Sequence, residues 1–109
     1  MSEVLLVLTN LPDQATARLV AQKLLESRVV ACANILANCT SLYHWQGNIE
    51  QADEVPLLLK TTRDAYPALE KLLRELHPYE LPEIIAVPVV RGLAEYLGWV
   101  GNEVRDALI

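Results

Sequence analysis

The sequence predicts an α+β fold, an antiparallel sheet with helices packed on it and one long hairpin arm. Three observations carry this expectation. Short Val- and Leu-rich runs alternate with segments whose apolar residues fall at helical spacing. A glycine-centred turn joins two alternating runs into a hairpin. Strand positions of both parities are apolar, so both faces of the sheet need a cover. The chain has 109 residues, 52% of them apolar and none Phe, which suits a single domain over 1–109 with an aliphatic core. A formal net charge of -5 excludes a nucleic-acid partner, because reading a phosphate backbone takes clustered Lys and Arg.

Residues 4–9 form the first expected strand, stopped by Asn10-Leu11-Pro12. A helix follows from Asp13, with Ala17, Val20, Ala21, Leu24 and Leu25 on one stripe and Pro12 or Asp13 suited to its first turn. Residues 29–36 form the second strand, which breaks at Ala37-Asn38. Alternation resumes over 41–46, with Ser41, Tyr43 and Trp45 on one side and His44 on the other. Gly47-Asn48 signals the turn, and the return strand runs from Ile49 through Lys60 and Thr61. Pro56 inside that strand predicts an edge position or a bulge. Asp64 is the expected cap of a second helix whose stripe is Leu69, Leu72, Leu73 and Leu76. Two prolines bar a helix over 77–83. Residues 84–90 supply the fourth strand, and Gly92 opens a last helix with Ala94, Leu97, Gly101, Val104 and Leu108 on one stripe.

The order β-α-β-β-α-β-α is the ferredoxin-like arrangement. Right-handed crossovers put the first two helices on one face. The other face falls to the third helix, to another copy of the chain, or to both, and self-association is the expected answer. The arm points the same way, since an isolated two-stranded ribbon is marginal in water.

Met1-Ser2-Glu3 has no basic n-region, and no apolar run is long enough to span a bilayer. A cytoplasmic chain without a membrane partner is expected, with Cys32 and Cys39 as free thiols. There is no Gly-rich phosphate loop, no nucleophile elbow, no H-E-x-x-H and no C-x-x-C, so no enzymatic activity is expected. Metal-ligating candidates are Cys32, Cys39, His44 and His77, with acids near Glu80 and Glu83. Each has a plainer reading: Cys32 as a small buried residue, His44 as a solvated hairpin residue, His77 as a complement to a helix C-terminus. Trp45, Lys60, Tyr79, Glu80 and Glu83 are candidates for a polar pocket with an aromatic wall, against the alternative of a solvated surface.

Several segments together resemble one known family. They are Ala31-Cys32-Ala33-Asn34-Ile35, Ser41-Leu42-Tyr43-His44-Trp45-Gln46-Gly47, Glu54 with Lys60-Thr61-Thr62, His77-Pro78-Tyr79-Glu80-Leu81-Pro82-Glu83, and Tyr96-Leu97-Gly98-Trp99. The resemblance is to the CutA family of divalent-cation tolerance proteins and covers nearly the whole chain. It implies a ferredoxin-like subunit in a tight homotrimer similar to the PII signalling proteins. It also implies a part in tolerance of copper and other divalent metals, with Cu(II) or another divalent cation bound and no organic cofactor. Carried over by residue, Cys32 matches the family cysteine, and Trp45, Glu54, Lys60, His77, Tyr79 and Glu83 match an inter-subunit cleft. Cys32, His44 and His77 are the soft and borderline ligands this role would use. Cys39 and Pro56 lie outside the pattern. The alternative is a PII-like regulatory module that holds a small anionic metabolite at Lys60.

Overall fold

The computed structural model describes residues 3–104. Its elements are β1 (Val4–Leu11), α1 (Gln14–Glu26), β2 (Cys32–Ile35), β3 (Cys39–Trp45), β4 (Asn48–Thr62), α2 (Tyr66–Leu76), β5 (Ile85–Pro88) and α3 (Ala94–Glu103). The sheet runs β2-β4-β1-β5, antiparallel throughout, with β3 also on β4. This is the expected ferredoxin-like order with one refinement. The break at Ala37-Asn38 divides the second strand into β2 and β3, which line up along the same edge of β4.

Local chemistry explains most boundaries. β1 outruns its expected stop because Asn10 and Leu11 still pair with Pro56 and Val55. Asp13 caps α1, its carboxylate accepting from the Thr16 N–H at 2.7 Å. The helix ends in a Schellman motif. Val29 N–H donates to Leu24 O, Arg28 N–H donates to Leu25 O, and Arg28 takes the left-handed position at φ 57. Arg28 stands where glycine is usual, and its guanidinium donates to the Glu103 carbonyl at 3.1 Å, holding the end of α3. Within α1, Leu24 is buried but Leu25 is 40% exposed, so the core stripe is narrower than expected.

Three expectations need correction. The hairpin loop is Gln46-Gly47, one residue earlier than predicted. Both have positive φ, 50 and 82, and Trp45 pairs with Asn48, as in a two-residue type I′ turn. The N-cap of α2 is Ala65 rather than Asp64, and the Thr62 hydroxyl accepts the Ala65 N–H at 3.3 Å. In α3 the fully buried residue is Val100, while Ala94 and Gly101 are exposed. Leu108, assigned to the same stripe, lies outside the described residues.

Pro56 lies inside the sheet rather than on an edge strand, and β4 pairs continuously with β1 past it. On the other side the register slips by one residue between the Ile35–Leu57 and Cys39–Glu54 pairs, so the expected bulge is present, with its extra residue in the β2–β3 segment opposite Pro56. A strand residue's N–H and C=O point the same way. The Pro56 carbonyl accepts from Leu36 N–H at 3.0 Å, so its missing donor faces the gap where β3 hands over to β2. No ladder bond is required there.

Strand parity then sorts the two faces. Val7, Leu11, Val55, Leu57 and Leu59 are buried at 0–1% exposure with α1 and α2, forming the core. The opposite face carries two cross-strand rows, Cys32–Lys60–Leu6–Val87 and Asn34–Leu58–Leu8–Ile85. α3 lies against one end of this second face, with Tyr96 over Lys60 at 5.7 Å. The other end stays open: Ile85 is 50% and Val87 44% exposed. Beyond the Leu11–Val55 rung, residues 48–54 pair only with β3 and project about 23 Å. The arm stretches the molecule to 44 × 27 × 24 Å, with a radius of gyration of 14.4 Å against about 13 Å for a compact chain of this length.

Candidate functional site

The root of the arm and the 77–83 loop enclose a cleft of about 860 Å³. On the arm, Cys39, Ser41, Tyr43 and Trp45 face the same way as Glu54 and Ala52, because each is a direct cross-strand partner of an even-numbered β4 residue. Ser41, Tyr43, Trp45, Ala52 and Glu54 all line the cleft. The opposite wall is Pro78, Tyr79, Glu80, Leu81 and Glu83, and Asn10 closes the floor. Three carboxylates and three large aromatic rings therefore converge, and the lining includes no Lys or Arg.

His77 holds the loop in place. It is buried at 7% exposure, with Nε2 2.8 Å from the Asn10 carbonyl and Nδ1 3.2 Å from the Tyr79 N–H. A carbonyl only accepts and an N–H only donates, so these partners assign the proton to Nε2. Burial pushes the His77 pKa below the ordinary histidine value, against the opposing pull of the Asn10 carbonyl and the Glu54 charge. The ring is therefore neutral, with both nitrogens engaged. It also contacts the Tyr79 ring, centroid to centroid at 4.8 Å. Burial, then the hydrogen bond and charge of Glu54, push the Tyr79 hydroxyl well above the ordinary tyrosine value. Asn10 completes the support, its side-chain amide donating to the Glu83 carboxylate at 3.1 Å.

Of the six residues expected in the cleft, Trp45, Glu54, Tyr79 and Glu83 line it. His77 lies behind the wall and positions it. Lys60 is elsewhere, six residues along β4 from Glu54 and so about 20 Å away. Its ammonium donates to Asn34 Oδ1 at 3.1 Å and lies 3.9 Å from Cys32 Sγ, in the row partly covered by α3. The expected ligands Cys32, His44 and His77 are not brought together. Cys32 belongs to the Lys60 end, His44 is on the exposed arm and reaches the cleft lining from the opposite strand parity, and His77 has no free lone pair. Among the described residues, no three His, Cys, Asp or Glu side chains form a group able to hold a metal ion. Asn10 and Tyr43 were not anticipated. Tyr43 shares the parity of Trp45, which was the available signal, whereas Asn10 read only as a strand stop.

The family model for the CutA1 divalent ion tolerance protein matches residues 5–103. The chain belongs to this family. Divalent-cation tolerance protein CutA of Thermus thermophilus is 44% identical over 100 residues, covering 92% of this chain and 95% of its own. The Citrobacter koseri protein of the same name is 43% identical over 103 residues, covering 94% and 90%. Among solved structures, CutA1 from Oryza sativa superposes with a TM-score of 0.93 at 28% identity, covering 97% of both chains. CutA from Xylella fastidiosa gives 0.91 at 41% identity, covering 95% of this chain and all of its own. The ferredoxin-like α+β fold expected from the patterning and the family resemblance are thus both observed. No helix among the described residues is long and apolar enough to cross a membrane.

Proposed function

We propose that this CutA chain is a homotrimeric divalent-cation binding protein that acts in metal tolerance rather than catalysis, drawing Cu(II) or a similar ion to the acidic cleft. The observation that carries this is the convergence of Glu54, Glu80 and Glu83 in one cleft whose lining has no Lys or Arg. Relatives named for divalent-cation tolerance support the same role. The open sheet face and the projecting arm support the trimer, since both leave apolar surface for other copies to cover. Copies meeting there would add donors to a cleft that has too few to cage an ion alone. An anionic metabolite at Lys60 is less well supported, because that ammonium is already engaged by Asn34 and lies far from the cleft. A cytoplasmic location agrees with two free thiols six β4 positions apart, too far to bridge within one chain. A relative from Archaeoglobus fulgidus, 31% identical with a TM-score of 0.89, is described as periplasmic, so cell fractionation is the check.

Calorimetric titration of Cu(II) at neutral pH tests the site. Glu80→Gln and Glu83→Gln should each weaken binding several-fold, with His44→Ala measured alongside, while Cys32→Ser should leave it unchanged. Undiminished affinity in both Gln variants would place the metal elsewhere and contradict the assignment.

A further inference from the structure

We infer that the cleft takes a small organic cation, an alkylammonium or guanidinium with an apolar body, held between the rings of Tyr43, Trp45 and Tyr79 and the carboxylates of Glu54, Glu80 and Glu83. The inference rests on the cleft being a cation site and names a second ligand class for it. Three features of the cleft lead there. Its volume within the single chain, about 860 Å³, is on the scale of a site for a drug-sized molecule and far exceeds a metal ion, which leaves room for a ligand beside a neighbouring copy. Its side chains form no three-membered group able to hold a metal. Half of its distinctive residues are aromatic, and a ring face is a poor hydrogen-bond acceptor for the water shell of a hard dication.

A large, weakly hydrated cation uses both kinds of wall. Ring faces attract it through their quadrupoles, and carboxylates supply the charge. The walls are held ready: Glu54 is buried and bonded to Tyr79, Asn10 fixes Glu83, and His77 anchors the loop between them. The Tyr79 phenol stays protonated at neutral pH, so it adds a ring face and an O–H.

Benzyltrimethylammonium is the probe, titrated into the full chain by calorimetry, with uncharged benzyl alcohol as comparator and Cu(II) as a separate arm. Tyr43 is 43% exposed and Glu80 is exposed, so Tyr43→Leu and Glu80→Gln should fold, which circular dichroism checks. The ammonium should bind at least tenfold more tightly than the alcohol, and each variant should weaken it several-fold. Equal affinity for alcohol and ammonium, or no effect in either variant, would overturn the inference. Cu(II) binding that depends on Glu80 with no ammonium binding would remove the organic ligand and leave the metal reading standing. Ammonium binding without Cu(II) binding would do the reverse.

Discussion

The two faces of the sheet are built from the same strands and have opposite fates. Positions 7, 11, 55, 57 and 59 vanish beneath α1 and α2, each no more than 1% exposed. One residue along, Leu6, Leu8 and Leu58 are partly exposed, and their β5 neighbours Val87 and Ile85 are about half exposed. The composition of the strands does not distinguish the faces, and only the crossover connections do. A short α3 covers the Lys60 end of the second face and leaves the Ile85 end bare. The apolar surplus of the sequence is therefore surface that a single chain does not use, and the proposed trimer uses it.

Substitutions that treat the faces alike should expose the contrast. Leu57→Ala removes a fully buried side chain and should cost about 2–5 kcal/mol in chemical denaturation, at any protein concentration. Ile85→Asp should do little to the isolated subunit but dissociate the assembly, so its effect should depend on concentration. Sedimentation velocity distinguishes the two. If Ile85→Asp sediments as the wild type does, the bare end of the second face is not a contact surface.

A pH effect belongs to the cleft end. The His77 pKa is lowered in the folded state, so the unfolded chain binds the extra proton first as the pH falls. Stability should be fully present above about pH 6.5 and decline below it. His77→Gln should flatten that slope in urea melts recorded from pH 7 to pH 5. A slope as steep as that of the wild type would assign the pH dependence to other groups.

The smallest effect lies on the helix-covered face. Thr9 is 1% exposed, and its hydroxyl has no hydrogen-bond partner among the described residues. Thr9→Val deletes that orphaned hydroxyl and should raise stability by about 1 kcal/mol. A loss of stability would reveal a partner for the hydroxyl.

The sequence made the covered face easier to read than the site. Periodicity located α1, α2 and the central strands β1 and β4 because burial within the chain imposes it, and it anticipated the core from Ala17 to Leu73. By contrast β3 and β5, largely exposed in the single chain, were read from alternation and from an apolar run. Local signals were less decisive. Gly47-Asn48 and Gln46-Gly47 are both plausible turns, and strand register chose between them. Asp64 is a better intrinsic cap than Ala65, yet the chain turns one residue later. The cleft was legible in part, because Trp45 and Tyr43 share a parity and 77–83 is barred from helix. Lys60 lies apart from the cleft formed within one chain, a separation the sequence did not show because spacing along a strand says nothing about how far a strand runs past its neighbours. His77 looked like a ligand because a sequence does not show that both nitrogens are already bonded.

In the proposed trimer the second face of the sheet is closed by other copies of the chain. Sedimentation equilibrium of the wild-type protein at micromolar concentration tests it most directly. A single species at three times the chain mass of 12.2 kDa is expected, and a species at 12.2 kDa would show that no other copy covers this face.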